Sequence, residues 1–257
     1  MRSHRPLKAG KAQGRHFEGR RDGGGGDPNW IWGLHPAMAA LANPARKIER
    51  VIATRNAASR LDAALKVEVL DPEVIDRMLP PGAVHQGLAV KAAPLEPQAI
   101  EDACQPVDGR PVLVLDTVTD PQNVGALFRS AAAFGARAVV MQDRKSPPLT
   151  GALAKAAAGS IEIVTEVRVV NISRAIEQLA EMGYRTIGLE GEGGETVAHA
   201  AAGAEQVALV LGAEGKGLRD LVAERCQHRA RIPIAPGMES LNVSVAGAVA
   251  LYAIQTR

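Results

Sequence analysis

The sequence predicts an α/β protein whose larger, C-terminal part is a parallel sheet, preceded by a smaller α/β unit. From Arg110 onward, short aliphatic or β-branched runs recur at Val112–Leu115, Ala138–Met141, Ile161–Val164, Thr186–Leu189, Val207–Leu211 and Ala230–Ile234, with helical stretches between them. Continuous apolar runs mark strands buried on both faces, and their alternation with helices marks a parallel sheet covered on both sides. The chain's 257 residues, 46% of them hydrophobic, can bury one large core or two modest ones. Upstream, residues 30–93 carry their own helix and strand signals, and the proline-containing stretch 94–109 has the character of a linker.

Residues 1–29 hold seven basic groups (Arg2, Arg5, Lys8, Lys11, Arg15, Arg20, Arg21) against Glu18, Asp22 and Asp27, a local excess of +4 that leaves −2 for the rest of the chain. With Gly23–Gly26 and almost no aliphatic residues, this stretch cannot bury enough surface to offset the entropy of ordering, and it reads as a disordered basic arm. Mobile cations ahead of a folded domain attract phosphates, and a solubilising tail has the same composition. Leu34, Met38 and Leu41, then Ile48, Val51 and Ile52, are spaced as two short amphipathic helices. Val67–Val69 reads as a strand, and Asp71-Pro72 opens a helix that Pro80-Pro81-Gly82 closes.

Cys104 and Cys226 are isolated and lack metal-type spacing with His35, His85, His199 or His228, so reduced thiols and no structural metal are expected. No apolar run reaches membrane-span length, and the N-terminus has no apolar core of a signal peptide, which makes a cytoplasmic protein the simplest expectation. Several common chemistries lack their residues. The glycines at 191, 193 and 194 miss the dinucleotide fingerprint because position 196 is Thr, and Gly215-Lys216 lacks the other parts of a phosphate-binding loop. In a parallel sheet, ligands collect at the carboxyl ends of strands, which directs attention to the loops after Leu115, Leu189, Leu211 and Ile234.

Three of those loops carry unusual polar residues. They are Leu115-Asp116-Thr117-Val118-Thr119-Asp120-Pro121-Gln122-Asn123-Val124-Gly125-Ala126-Leu127-Phe128-Arg129-Ser130-Ala131, then Leu209 to Leu218 through Gly212-Ala213-Glu214-Gly215-Lys216-Gly217, then Ile232 to Ala246 through Met238-Glu239-Ser240-Leu241-Asn242. In this order they resemble the three motifs of the SpoU branch of the SPOUT RNA methyltransferases. The resemblance implies S-adenosylmethionine as cofactor, methylation of a ribose 2'-hydroxyl, a trefoil knot in the C-terminal domain, and a homodimer through the final helix, Val243–Gln255. It makes Arg129 catalytic, places Asn123 in the active site, and assigns Glu214 to ordering the site by pairing with Arg129 or Asn123. Ser240 and Asn242 become groups that position ribose or methyl, and Gly212, Ile232, Leu241, Leu189 and Met238 become cofactor contacts. Each has a plainer reading: a solvated helix Arg, a surface turn at Glu214, caps at Asn123, Ser240 and Asn242, and core packing at Ile232 and Leu241. For Gly212, a missing Cβ would let backbone approach the adenosine closely.

Trp32-Gly33-Leu34-His35-Pro36-Ala37 and His85-Gln86-Gly87 resemble the ribosomal-protein-like RNA-binding domain of one subgroup, which methylates a guanosine of large-subunit (23S) ribosomal RNA. Its tRNA-modifying relatives generally lack that domain, so ribosomal RNA is the implied partner; tRNA 2'-O-methylation, or a non-catalytic assembly factor with the same fold, are the alternatives. Arg46, Lys47 and Arg50, with Arg55 and Arg60, form the candidate RNA-backbone footprint, although a solvated helix face looks the same. Trp30 and Trp32 are almost the only aromatics that could stack on unpaired bases.

Overall fold

The structure is a computed structural model that describes residues 29–149 and 151–256, Ala152 by its backbone alone. Nearly all of the expected basic arm therefore lies outside the described residues. The smaller unit runs β1 (Trp30–Trp32), α1 (Leu34–Ala42), β2 (Ile48–Ala53), α2 (Arg55–Ala58), β3 (Glu68–Val69), α3 (Pro72–Met78) and β4 (Leu88–Ala92). The larger begins with α4 (Ile100–Ala103), β5 (Val112–Leu115), α5 (Pro121–Ala133), β6 (Ala138–Gln142), α6 (Gly151–Ala156), a 3-10 turn (Ser160–Glu162) and β7 (Thr165–Val169). It continues with α7 (Ile172–Glu181), β8 (Arg185–Leu189), β9 (Glu195–Thr196), α8 (Val197–Ala201), β10 (Val207–Leu211), α9 (Asp220–Arg225), β11 (His228–Arg231) and α10 (Val243–Gln255).

The large sheet has the order β7-β6-β5-β10-β8-β11-β9, and all of its pairings are parallel. Its strands are apolar throughout because each face meets a different layer. Leu113, Leu115, Val139, Met141, Leu209 and Leu211 point into one cluster with α5 and α10, while Val112, Val114, Val140, Ala208 and Val210 point into another with α7 and α9. The expected strand at Ile161–Val164 is instead the 3-10 turn, with the strand shifted to β7. Gly159, at φ 91, turns the chain there, and Ser160 Oγ donates to Ala157 O at 2.6 Å.

In the smaller sheet, ordered β1-β4-β2-β3, the second expected helix is corrected to strand β2. Its β-branched residues fit a strand, and consecutive burial splits between faces: Val51 and Ala53 join one core, Ile52 the other. Strand β1 buries Trp30 and Trp32 to 4% and 6% exposure, which corrects their reading as base-stacking aromatics. The expected linker is partly structured: Ile100, Ala103 and Cys104 pack under the large sheet, and Gln98 bridges to Val167 on its edge.

A buried ion pair joins the two units. Arg46, with a side chain 3% exposed, donates from Nε to both Glu162 oxygens at 3.0 Å, and its Nη2 lies 2.9 Å from Oε1. Arg46 Nη1 donates to Ala93 O at 2.8 Å, and Asn43 Nδ2 donates to Glu162 Oε2 at 2.7 Å. Arg46 is thus corrected from an RNA contact to an interdomain clamp, because a buried cation is stable only when paired.

Glu162→Ala, which strands a buried guanidinium, should lower the unfolding free energy by about 3–5 kcal/mol in urea titrations, while Arg46→Met combined with Glu162→Leu should recover most of it. Burial pushes the Cys104 and Cys226 thiols up to about 12, helped at Cys226 by Glu190 and Asp116 and opposed at Cys104 by Arg137. Both thiols therefore stay protonated at pH 8, and the folded protein should react slowly with iodoacetamide and rapidly once denatured.

Candidate active site

Strands β5 and β10 lie side by side at the point where the sheet reverses its winding, the chain running outward to β6 and β7 after β5. Such a switch point opens a crevice beyond the strand ends. Here Asp116 N donates to Leu211 O at 2.8 Å, holding the first and second motif loops together. Asp120 caps α5, accepting from Gln122 N at 3.2 Å, with Pro121 in the first turn. Asn123 is therefore not the cap; it sits inside the helix, 8% exposed, with its side chain committed elsewhere.

That commitment is to Asn242. The Asn242 Oδ1 caps α10, accepting from Ser244 N at 2.9 Å, Val245 N at 3.4 Å and Ser244 Oγ at 2.6 Å. Its Nδ2 donates to Asn123 Oδ1 at 3.1 Å and also to Glu214 Oε1. One side-chain amide thereby joins all three motifs, from positions 119 and 28 residues away in sequence. Glu214 reaches neither Arg129 nor Asn123 directly, contrary to expectation; Asn242 stands between.

Arg129 lies six residues beyond Asn123 on α5, about 240° around the helix, exposed and without an ion pair or hydrogen bond among the described residues. The fold brings Arg129 onto the same helix as the network but leaves its guanidinium free for a ligand. Ser240 is exposed and makes no contact with the network, so neither the cap nor a partner explains it. Ser244, which sequence reasoning passed over, completes the cap.

Asp116 and Arg219 were also missed. Asp116 is fully buried, and its carboxylate accepts from Arg219 N at 3.1 Å, Nε at 2.8 Å and Nη2 at 2.5 Å. The pair closes the glycine loop that carries Glu214. Nothing in the sequence links residues 103 apart; the only signal was an acid directly after an apolar strand.

Gly212 has a steric reason within the protein itself. A Cβ there would lie 2.1 Å from Gly217 C and 2.2 Å from Gly217 O, so the loop's own backbone occupies the space. Leu189 and Ile232 pack, partly buried, against the core beneath the crevice; Leu241 is half-buried and Met238 is 61% exposed. Between residues 232 and 241 the turn and loop backbone hydrogen bond among the described residues is Met238 N to Ala235 O at 3.2 Å, so most of this segment's amides and carbonyls stand outside regular structure along the crevice. Among the described residues there is no cluster of potential metal ligands.

Lys47 is exposed on the smaller unit, and Arg50, also exposed, pairs with Glu68 at 2.6 Å. Arg50 lies within strand β2 and Lys47 directly before it, so neither is on a helix.

Residues 110–252 match the SpoU rRNA Methylase family, and residues 30–98 match the family described as RNA 2'-O ribose methyltransferase substrate binding. The chain belongs to the SpoU rRNA methylase family. Among relatives, it is 36% identical to the 23S rRNA (guanosine-2'-O-)-methyltransferase RlmB of Vibrio cholerae over 86% of this chain and 94% of that protein. With the RlmB of Pseudomonas aeruginosa the identity is 34%, over 87% and 94%. An uncharacterized tRNA/rRNA methyltransferase of Synechocystis is 35% identical, and there the match spans 87% of this chain but only 61% of the relative. In fold, the chain resembles the SpoU methyltransferase AviRb of Streptomyces viridochromogenes, with a TM-score of 0.75 at 18% identity over 88% of each chain. The AdoMet-bound rRNA methyltransferase of Sinorhizobium meliloti gives 0.75 at 23% identity, over 88% of this chain and 86% of that one. The SpoU motifs thus coincide with the residues that Asn242 gathers.

Replacing Asn242 by Ala removes a helix cap and should cost about 1–2 kcal/mol of stability. Asn242→Ser keeps a cap oxygen but loses the amide donors without setting a carboxylate against Glu214; it should recover most of that stability in urea titrations while catalytic activity stays low.

Proposed function

We propose that this chain transfers a methyl group from S-adenosylmethionine to the ribose 2'-hydroxyl of a guanosine in 23S ribosomal RNA. The observation that carries the reading is the Asn123–Asn242–Glu214 network at the switch point, in a chain that is more than a third identical to a named guanosine-2'-O-methyltransferase over most of both lengths.

The crevice fits the cofactor. Amides and carbonyls outside regular structure at 232–241 can meet an adenine edge and a ribose, and Leu189, Ile232 and Leu241 supply apolar walls, with Met238 at the rim. When bound, the cofactor supplies an electrophilic methyl on a sulfonium. The protein's part is to hold the 2'-oxygen in line and to stabilise charge as its proton leaves. A guanidinium is a poor base but a good partner for phosphate and for a developing alkoxide, and the free Arg129 takes that role. Glu214, Asn123 and Asn242 fix one another's orientation, and Ser240, exposed two residues before Asn242, is taken as a ribose-positioning group.

The chain works as a homodimer in this reading. On α10, Val245, Val249 and Tyr252 form one stripe at i, i+4 and i+7 and are 49%, 41% and 59% exposed, an apolar face suited to a second copy. The knot implied by the family is supported by the return of α10 to pack on α5 and β10 after the chain has run out to β11. Lys47 and Arg50 contribute to holding RNA. The reaction is cytoplasmic, where ribosomal RNA is modified; among the described residues no helix is long and apolar enough to cross a membrane.

With labelled S-adenosylmethionine, purified protein should methylate 23S rRNA and not tRNA, the label mapping to a guanosine ribose. Arg129→Ala should lower kcat/KM by about 10²–10³ while S-adenosylhomocysteine affinity, read by calorimetry, is unchanged. Label in tRNA alone, or full activity without Arg129, would overturn the assignment.

A further inference from the structure

A second built concavity lies on the smaller unit, away from the strand ends. It has a volume of about 430 Å3 and is lined by Thr54, Pro72, Asp76, Ala83, Val84 and the triplet His85-Gln86-Gly87. That volume falls within the range of small-molecule sites.

Two of its polar groups, Gln86 and His85, are held in orientation by backbone amides. Gln86 holds φ 53, a conformation that few non-glycine residues adopt, and Gly87 follows at φ 84, where a Cβ would sit 2.6 Å from Thr54 Oγ1. Leu34 N donates to Gln86 Oε1 at 3.0 Å, which turns the amide so that Nε2 is left as a donor. Gly87 N donates to His85 Nδ1 at 3.0 Å, so the ring proton is on Nε2, facing Asp76 Oδ1 at 3.3 Å. The second Asp76 oxygen remains as an acceptor, on a side chain that is 61% exposed. Apolar surface comes from Pro72 and from Val84, 60% exposed. Across the domain boundary, Lys155 Nζ donates to Val84 O at 2.9 Å, so α6 of the methyltransferase domain anchors the rim.

Flat apolar walls with one oriented amide donor and one carboxylate acceptor match the edge of a heterocyclic base, which presents donors and acceptors side by side. Charges of both signs surround it: Arg55, next to Thr54, is exposed and without an ion pair among the described residues, and Arg77 follows Asp76, while Asp71, Glu73 and Asp76 are exposed along the start and body of α3. We propose that this concavity receives one unpaired nucleobase of the RNA substrate, hydrogen-bonded by Gln86 Nε2 and Asp76, with Arg55 on the adjoining phosphate. The site deepens the RNA-methylating reading of the chain and rests on it.

The test uses the full-length protein and fluorescein-labelled RNA decamers of each base, single-stranded and as duplexes, read by anisotropy. Gln86→Gly, which also relieves the positive φ, and Asp76→Asn should each weaken binding of at least one single-stranded decamer about tenfold, the worth of one hydrogen bond. Duplex affinity and S-adenosylhomocysteine affinity should not change, and both variants should remain folded at the assay temperature by circular dichroism. Arg55→Ala should weaken single strand and duplex alike and reduce the salt dependence by about one phosphate contact. Wild-type affinity for every single-stranded decamer in both folded pocket variants would refute the base pocket, as would equal weakening of duplexes. Methyl transfer by wild type with an unchanged RNA KM in both variants removes the pocket alone. Binding that depends on Gln86 without any methyl transfer by wild type removes the catalytic reading and leaves the pocket.

Discussion

The side chain of Asn242 must satisfy two demands at once, and the geometry of the site follows from both. Its oxygen accepts the amides that open α10, and its nitrogen donates to Asn123 and Glu214. A planar amide has its donors and acceptor on opposite sides, so seating the helix also aims the donors. The packing of α10 against α5 and β10 thereby determines where two other loops can place their polar groups. A glutamate in an exposed glycine loop would otherwise be mobile.

The sheet supplies the platform. Because β5 and β10 are adjacent, loops remote in sequence emerge together, and the Asp116–Arg219 pair closes the gap between them. A fully buried carboxylate with three donors from one residue has no freedom to move, and this rigidity passes to the loop that carries Glu214. The smaller unit is held in the same manner: Arg46 and Glu162 are each 3% exposed, and a desolvated pair tolerates little displacement. Substrate-binding and catalytic units therefore present fixed surfaces to one RNA.

Legibility in the sequence followed the range of the forces involved. The parallel sheet was readable because strands buried on both faces are continuous apolar runs, as Val112–Leu115 and Val207–Leu211 are. The error at Ile48–Ala53 has the same root: a short apolar run with spacing compatible with either period becomes a strand because β4 and β3 flank it. Trp30 and Trp32 looked like stacking aromatics until burial in β1 accounted for them. At Gly212 the sequence suggested close approach to an adenosine, whereas the structure shows the loop's own backbone filling the space a side chain would need.

By itself, the sequence determined the fold class and, through three ordered motifs, the family, since local pattern and residue chemistry are written along the chain. The tertiary structure alone decided who meets whom. Asn242 takes Asn123 and Glu214, Arg219 takes Asp116, Arg46 turns inward to Glu162, and Arg129 is left unpaired among the described residues. Each of those outcomes depends on hydrogen bonds between residues far apart in sequence, whose geometry exists only once the strands are in register and their side chains have lost access to water.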